Sequence, residues 1–380
     1  MKTRLLLVGL ILLTVLAGCG PAVPEQPAEI RIGVISMLQE PYLSADGKWM
    51  NNGLDLAAKQ INAAGGLEIN GQRYQITLIT EDDGGTPQGA AAAATRLINQ
   101  QNVVAIIGPL YSAQALAAAQ VAENARIPLI TPTGTNPAVT SQRQYIFRVC
   151  FNDEQQGRAL ARYLRTTRGY NYAGLLYDIS DAYNTALASS FREYFEAAGG
   201  RVLVEQTYTS DVTDFKLFMA AFKTPNLQVL VLPDYPEKVQ VQATQAREAG
   251  LTVALAGGDA WDAVDPTLPA LEGAVYSTHW FAGSENLTSQ AFVEAYQKAY
   301  DELPNPTAAL SYDALMLVVA AIRARNAVSP EAIAAGLQNL AGYDGVTGTI
   351  SYTQGGDPIK NVVIMRIEGQ KRVFVTTVRP

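Results

Sequence analysis

From residue 29 to about residue 260, short β-rich apolar runs alternate with stretches of helical spacing. Residues 30–35 (Ile-Arg-Ile-Gly-Val-Ile) predict a first strand. Residues 47–64 carry helical spacing at Leu54, Ala57, Ala58 and Ile61, and stop at Gly65-Gly66. Residues 74–80 predict a strand, and 87–100 an alanine-rich helix with Pro87 suited to its first turn. Residues 103–107 read as a buried strand ending at Gly108, 113–124 as a helix and 127–130 as a strand. This punctuation argues for a parallel sheet with helices on both faces.

After residues 144–149 the rhythm begins again. Helices are predicted at 154–168, 185–198, 214–222 and 236–249, and strands at 172–177, 201–207, 228–232 and 252–256. Two similar halves in series predict an α/β chain of two lobes, each a doubly wound parallel sheet. The last hundred residues differ. Helices at 289–302, 307–325 and 330–340 precede β-rich segments at 346–352, 361–367 and 372–378.

The first residues follow another pattern. Lys2 and Arg4 precede a thirteen-residue apolar run, 5–17, which leads into Leu16-Ala17-Gly18-Cys19. A spanning helix needs about 20 apolar residues, so the run reads as a secretory signal, residues 1–18. Leu-Ala-Gly-Cys resembles the lipobox of bacterial lipoproteins, in which the cysteine, here Cys19, receives a diacylglycerol. Residues 19–28, rich in proline and small side chains, then form a flexible tether. The expected location is extracytoplasmic, on a membrane, by a lipid anchor.

Composition narrows the function. Removing residues 1–18 from 380 leaves 362, enough for two domains. The formal charge of −7 becomes −9 without Lys2 and Arg4, which gives no electrostatic reason to bind nucleic acid. With Cys19 lipidated, Cys150 has no partner, so no intrachain disulfide is expected and Cys150 reads as a small buried residue.

Catalytic constellations are missing. His279 is the only histidine, which rules out a multi-histidine metal site, and it falls in a predicted strand, 274–280. No Cys-x-x-Cys, phosphate loop or dinucleotide-binding glycine motif is present. Glu81-Asp82-Asp83 reads as a solvated strand end, and Gly65-Gly66, Gly84-Gly85 and Gly257-Gly258 read as turns. Neither enzyme activity nor a cofactor or metal is expected.

Ligands of open parallel sheets bind beyond the carboxyl ends of strands. Three such ends are small and polar. In Gly108-Pro109-Leu110-Tyr111-Ser112, Ser112 is placed as a helix N-cap, and that helix start could also receive an anion. Residues 131–137 (Thr-Pro-Thr-Gly-Thr-Asn-Pro) crowd hydroxyls and free backbone into one loop, which fits a binding loop or a polar turn. Gly257-Gly258-Asp259-Ala260-Trp261 sets one carboxylate beside a large aromatic; taken alone it reads as a solvated turn.

With Ala63-Ala64-Gly65-Gly66, Arg148, Asp153, Gln156-Gly157, 178–183 and 247–250, these segments resemble the leucine/isoleucine/valine-binding proteins of ATP-driven importers, the type I periplasmic binding proteins. The resemblance runs from residue 29 onward. It implies two lobes closing on a ligand and three crossings, near residues 151, 281 and 347. One lobe would hold 29–151 and 282–346, the other 152–281 and 347–380. It implies that Ser112 and Thr135 hold a ligand carboxylate, and that backbone at Thr133 adds N–H and C=O groups. It implies that Asp259 pairs with an ammonium, that Tyr183 covers the ligand and that Asp153 sits near a hinge. Tyr111 neighbours Ser112 and is larger than usual there. Two further departures are Asp46, where the family has a tyrosine, and the loop Leu38-Gln39-Glu40-Pro41-Tyr42. The implied function is a monomeric lipoprotein that delivers a small zwitterion, a branched-chain or related amino acid, to an ABC permease. Alternatives are an amide, urea or aromatic-acid ligand, or presentation to a receptor as a sensor.

Overall fold

The computed structural model describes residues 27–38, 45–352 and 355–379. The signal, Cys19, most of the tether and most of the 38–42 loop lie outside the described residues.

Two sheets organise the chain. The first is built from β1 (Ala28–Ser36), β2 (Leu67–Ile69), β3 (Gln72–Asp82), β4 (Ala105–Ile107), β5 (Leu129–Thr131) and β6 (Ile146–Arg148). Its order is β2-β3-β1-β4-β5-β6, parallel except for β2. The helices of this region are α1 (Ala45–Ala63), α2 (Pro87–Gln101) and α3 (Ser112–Ala125). Strand β1 shows why both faces are covered. Ile30, Ile32 and Val34 join one core with residues of α1, while Ile35 joins another with alanines of α2 and α3. Period-2 alternation sends successive side chains to opposite faces.

The second sheet holds β7 (Tyr172–Asp178), β8 (Arg201–Tyr208), β9 (Val229–Val231), β10 (Ala254–Gly257) and β11 (Val275–Thr278). Its helices are α4 (Asp153–Arg162), α5 (Ala182–Ala197), α6 (Lys216–Ala221) and α7 (Pro236–Glu248). Ala173, Leu175 and Tyr177 pack with α4 and α5, whereas Leu176, Leu230 and Leu232 pack with α6 and α7.

The chain then returns to the first sheet. Of α8 (Leu287–Tyr300), α9 (Pro306–Arg325) and α10 (Pro330–Gln338), α9 and α10 supply side chains to the core under α1. Among the described residues α9 is the one helix long and apolar enough to cross a membrane, but 72% of its apolar window is buried inside the protein. It is a core helix. A two-stranded ribbon follows, β12 (Tyr343–Gly345) with β13 (Gly348–Ile350). Finally β14 (Val362–Glu368) and β15 (Lys371–Val378) complete the second sheet in the order β15-β14-β11-β10-β9-β7-β8. Strand β14 runs antiparallel to both β11 and β15. The chain therefore passes between the two sheet regions after β6, after β11 and after β13.

Several local readings change. Strand β2 was not expected. It pairs with β3 through Asn70-Gly71, both at positive φ (51° and 78°), as a two-residue hairpin requires. The expected strand 346–352 is instead mostly the β12–β13 ribbon. Helix α4 ends at Arg162 and continues as a wider π turn, Tyr163–Thr167. Asp83 is not solvated: it is 2% exposed and its Oδ1 accepts the Gly85 N–H at 2.8 Å. Cys150 is buried and free, and burial pushes its thiol up to about 12.

Candidate functional site

The carboxyl ends of β4 and β5 supply one wall. Residues 108–111 leave the sheet and Ser112 opens α3. Tyr111, not Ser112, occupies the cap position, without a side-chain capping bond. Ser112 is the first helical residue, so its Oγ cannot fold back as a cap does; it accepts the Asn136 N–H at 3.1 Å instead. The first-turn N–H groups of α3 thus have no side-chain cap and suit an anion.

The loop after β5 is braced from both sides. Thr131 Oγ1 donates to Pro109 O at 2.6 Å and accepts from Gly134 N at 2.9 Å. Thr133 Oγ1 donates to Leu110 O at 2.8 Å. From beneath, the fully buried Arg148 donates to Gly134 O (2.5 Å) and Asn136 O (2.9 Å). Its Nε donates to Asp357 Oδ1 at 2.7 Å. One guanidinium therefore satisfies the carbonyls that a tight polar loop would otherwise strand.

The facing wall comes from the second sheet. Beyond β10, Asp259 starts a 3₁₀ turn, Asp259–Ala263. Its Oδ1 accepts Gln156 Nε2 at 2.9 Å and its Oδ2 lies 3.0 Å from His279 Nε2. The Asp259 side chain is only 10% exposed, so it is not a solvated turn residue. Gln156 is itself saturated: Oε1 accepts Asp259 N (2.7 Å) and Ser277 Oγ (2.8 Å), and Nε2 also reaches Asp153 Oδ1 at 3.2 Å. Tyr183 lies in the first turn of α5, which Asp181 caps by accepting the Tyr183 and Asn184 N–H groups. Its Oη accepts Ala260 N at 3.5 Å. Tyr235, at the start of α7, packs between Tyr111 and Tyr183, with ring centroids 4.9 and 5.2 Å away.

These walls touch. The Tyr111 and Tyr235 rings meet across the cleft, and Asn136 Nδ2 donates to Ala182 O at 2.7 Å. Between the walls lies a cavity of about 50 Å³. Tyr111, Ser112, Thr133, Thr135, Tyr183 and Asp259 all line it. Asp153 does not. It opens α4 fully buried, and its N–H donates to Thr135 O at 2.9 Å. Burial, with the charge of Asp259, holds its carboxyl well above the usual range, partly offset by Thr135, Arg148 and Gln156.

Five further lining residues with polar or ionisable side chains escaped the sequence reading as ligand contacts: Asp46, Tyr235, Asp262, His279 and Thr307. In the sequence Asp46 stands out only as a departure from the family. It lies in the first turn of α1, and Tyr111 Oη and Thr307 Oγ1 donate to its carboxyl at 3.1 and 3.4 Å. Its accessible edge lines the cavity, and withdrawal from water pushes it up to about 6. Asp262 accepts Thr278 Oγ1 at 2.5 Å and is pushed up to about 8 by the same cause. His279 follows β11, and burial lowers its pKa against the pull of Asp259. The lining includes these three carboxyls and no lysine or arginine. Among the described residues no three of His, Cys, Asp and Glu gather as a metal would need.

A cleft between two α/β lobes, lined from strand ends on both sides, is a solute-binding arrangement, and a model of the family described as "Periplasmic binding protein" matches residues 29–372. The chain belongs to that family. This periplasmic binding protein has the type I fold. It superimposes on a leucine-binding protein, LivK, of Thermotoga maritima with a TM-score of 0.85 and 30% identity, covering 92% of this chain and 99% of that one. A Streptococcus pneumoniae substrate-binding protein of a branched-chain amino acid transporter, LivJ, solved with isoleucine, gives 0.84 and 28%, covering 93% and 100%. An amino acid binding protein of Pseudomonas aeruginosa is 30% identical over 236 residues, 61% of each chain.

Proposed function

We propose that this periplasmic binding protein captures a free α-amino acid outside the cytoplasm and presents it to an ABC permease. The observation that carries the reading is the cavity itself, with hydroxyls and an uncapped helix start on one wall and a carboxylate on the other. An amino acid has the matching polarity. Its carboxylate would take hydrogen bonds from Ser112, Thr135 and the N–H groups near Thr133 and α3. Its ammonium would pair with Asp259 in place of His279 and Gln156. Tyr111 and Tyr183 would close over it.

No covalent step is involved. Capture draws the lobes, 29–151 with 282–346 and 152–281 with 347–380, around the ligand, and the closed form docks on the permease. Asp153, through Gln156, holds Asp259 in place from behind. Cys19 would carry the lipid that keeps a monomer at the membrane. The names of the relatives support amino acids as the class, with leucine and isoleucine among them. An amide, urea or aromatic acid leaves Asp259 facing no cation, which is costly in a closed cleft.

The deciding experiment is mass spectrometry of ligand released from the purified protein, followed by calorimetry with the twenty amino acids. An α-amino acid is expected in both. Release of a compound without an α-ammonium, together with a silent amino-acid panel, would overturn the reading.

A further inference from the structure

We infer that the ligand carries a second positive charge, on its side chain, and that Asp46 and Asp262 receive it. The inference rests on the amino-acid reading of the same cavity and names the class of side chain: a basic one.

Asp46 comes from α1 on one wall and Asp262 from the 3₁₀ turn on the other, and both line the cavity that Asp259 lines. One carboxylate suffices for one ammonium, so two are in excess. Their present partners are neutral: Tyr111 and Thr307 for Asp46, and Thr278 for Asp262. Among the described residues neither carboxyl forms a salt bridge. The nearby Arg372 donates to the backbone oxygens of Asp262 (2.9 Å) and Val264 (2.5 Å), not to the Asp262 carboxyl.

An aliphatic side chain enclosed here would strip water from two carboxyls and return nothing to them. Burying an unpaired charge is among the costliest arrangements in a protein. Asp262, pushed up to about 8, offsets that cost by keeping its proton at neutral pH, whereas Asp46, pushed up to about 6, does so only in acid. A cationic side chain supplies the missing partner directly. The tyrosine faces add to this. Tyr111 on one wall meets Tyr235 and then Tyr183 on the other, and a cation over such rings is further stabilised.

The test is calorimetry of the mature protein with L-lysine, L-arginine, L-norleucine, L-leucine and cadaverine. Norleucine keeps the lysine stem without the terminal ammonium, and cadaverine keeps two ammonium groups without the carboxylate. Lysine or arginine is expected to bind about tenfold or more tighter than norleucine and leucine, the scale of one hydrogen bond to a charged group. Asp46→Asn and Asp262→Asn are each expected to narrow that ratio. Norleucine or leucine binding as tightly as lysine and arginine would overturn the inference and leave the amino-acid reading intact. A preference that survives both substitutions unchanged would overturn the assignment to these residues. Cadaverine matching lysine would support the second cation and overturn the carboxylate clamp instead. Silence with all five would overturn both.

Discussion

Asp259 and His279 pair across the ends of two adjacent strands, Oδ2 to Nε2 at 3.0 Å. With the carboxylate oxygen as acceptor, Nε2 carries the proton. Burial lowers the His279 pKa, so the pair brings no full positive charge to the cleft at neutral pH. The carboxylate is held in position yet left free to meet a stronger partner.

That arrangement predicts unequal losses. Removing one partner of a buried charge pair costs about 3–5 kcal/mol. Asp259→Ala should therefore weaken an amino-acid ligand by about a hundredfold or more. Ser112→Ala removes one hydrogen bond to a charged group, about 1.5–3 kcal/mol, and should cost less. Calorimetry beside thermal melts checks both. An affinity within a fewfold of wild type in Asp259→Ala, at unchanged melting, would remove Asp259 from the clamp.

Binding of a basic ligand should rise with pH. Burial pushes Asp46 up to about 6, where it faces Tyr111, Thr307, Glu237 and Asp259. Asp262 titrates near 8, facing Thr278, Tyr276, Arg372 and Asp259. A cation favours the ionised carboxyls, so below these values binding must first expel protons. Affinity for lysine, whose ammonium groups stay charged over most of the window, should climb from pH 5 to about pH 8, while norleucine changes less. Titrations in two buffers of different ionisation enthalpy should show net proton release near pH 7. The sign for stability is opposite. Carboxyls raised on folding stabilise fully below their unfolded values, and that contribution fades as pH passes through about 6 and 8. Asp262→Asn should raise the melting temperature of the empty protein at pH 9 more than at pH 5.

Gly258 has no room for a side chain. A Cβ there would overlap Tyr183 Oη and Leu187 Cδ2, and lie 2.9 Å from Gln156 Oε1. Gly258→Ala should lower stability by about 1–3 kcal/mol, as overpacking does. It should also weaken ligand binding, because Tyr183 and Gln156 are the groups displaced. Urea unfolding and calorimetry on one preparation separate the two effects.

Arg148 is wholly buried and ion-paired with Asp357, which also accepts from Asn152 Nδ2 at 2.7 Å and from Thr140. Asp357→Ala leaves the guanidinium with only neutral partners and should cost about 3–5 kcal/mol in urea unfolding. A loss below 1 kcal/mol would mean that solvent already compensates the charge.

Cys19→Ser should move the protein from the membrane fraction to the soluble fraction. Labelled fatty acid should mark the wild type alone; no label on it would remove the lipid anchor.

The two-sheet plan was legible because parallel strands such as 103–107 are short, wholly apolar and followed by helices of clear period. The three strand ends were legible only in part: each is small and polar beyond a buried strand, which suits a ligand but equally a cap or a turn, and the resemblance to a family separated the readings. What stayed hidden was assembled at long range. Asp46 meets Thr307 across 261 residues, and His279 meets Asp259 only because β10 and β11 are neighbours. No local spacing announces such pairs. Ser112 was misplaced by a single residue, enough to turn a cap into a cross-loop acceptor. The β2–β3 hairpin had a readable signal, Asn70-Gly71 between short β-compatible runs, that went unused.

Along the chain, β14 and β15 come after α8, α9 and α10, of which α9 and α10 pack beneath the first sheet. During vectorial synthesis, β11 has an unpaired edge until β14 is made. An open edge of that kind invites strand addition from other chains. The order of the segments postpones completion of the second lobe until nearly all of the polypeptide has emerged.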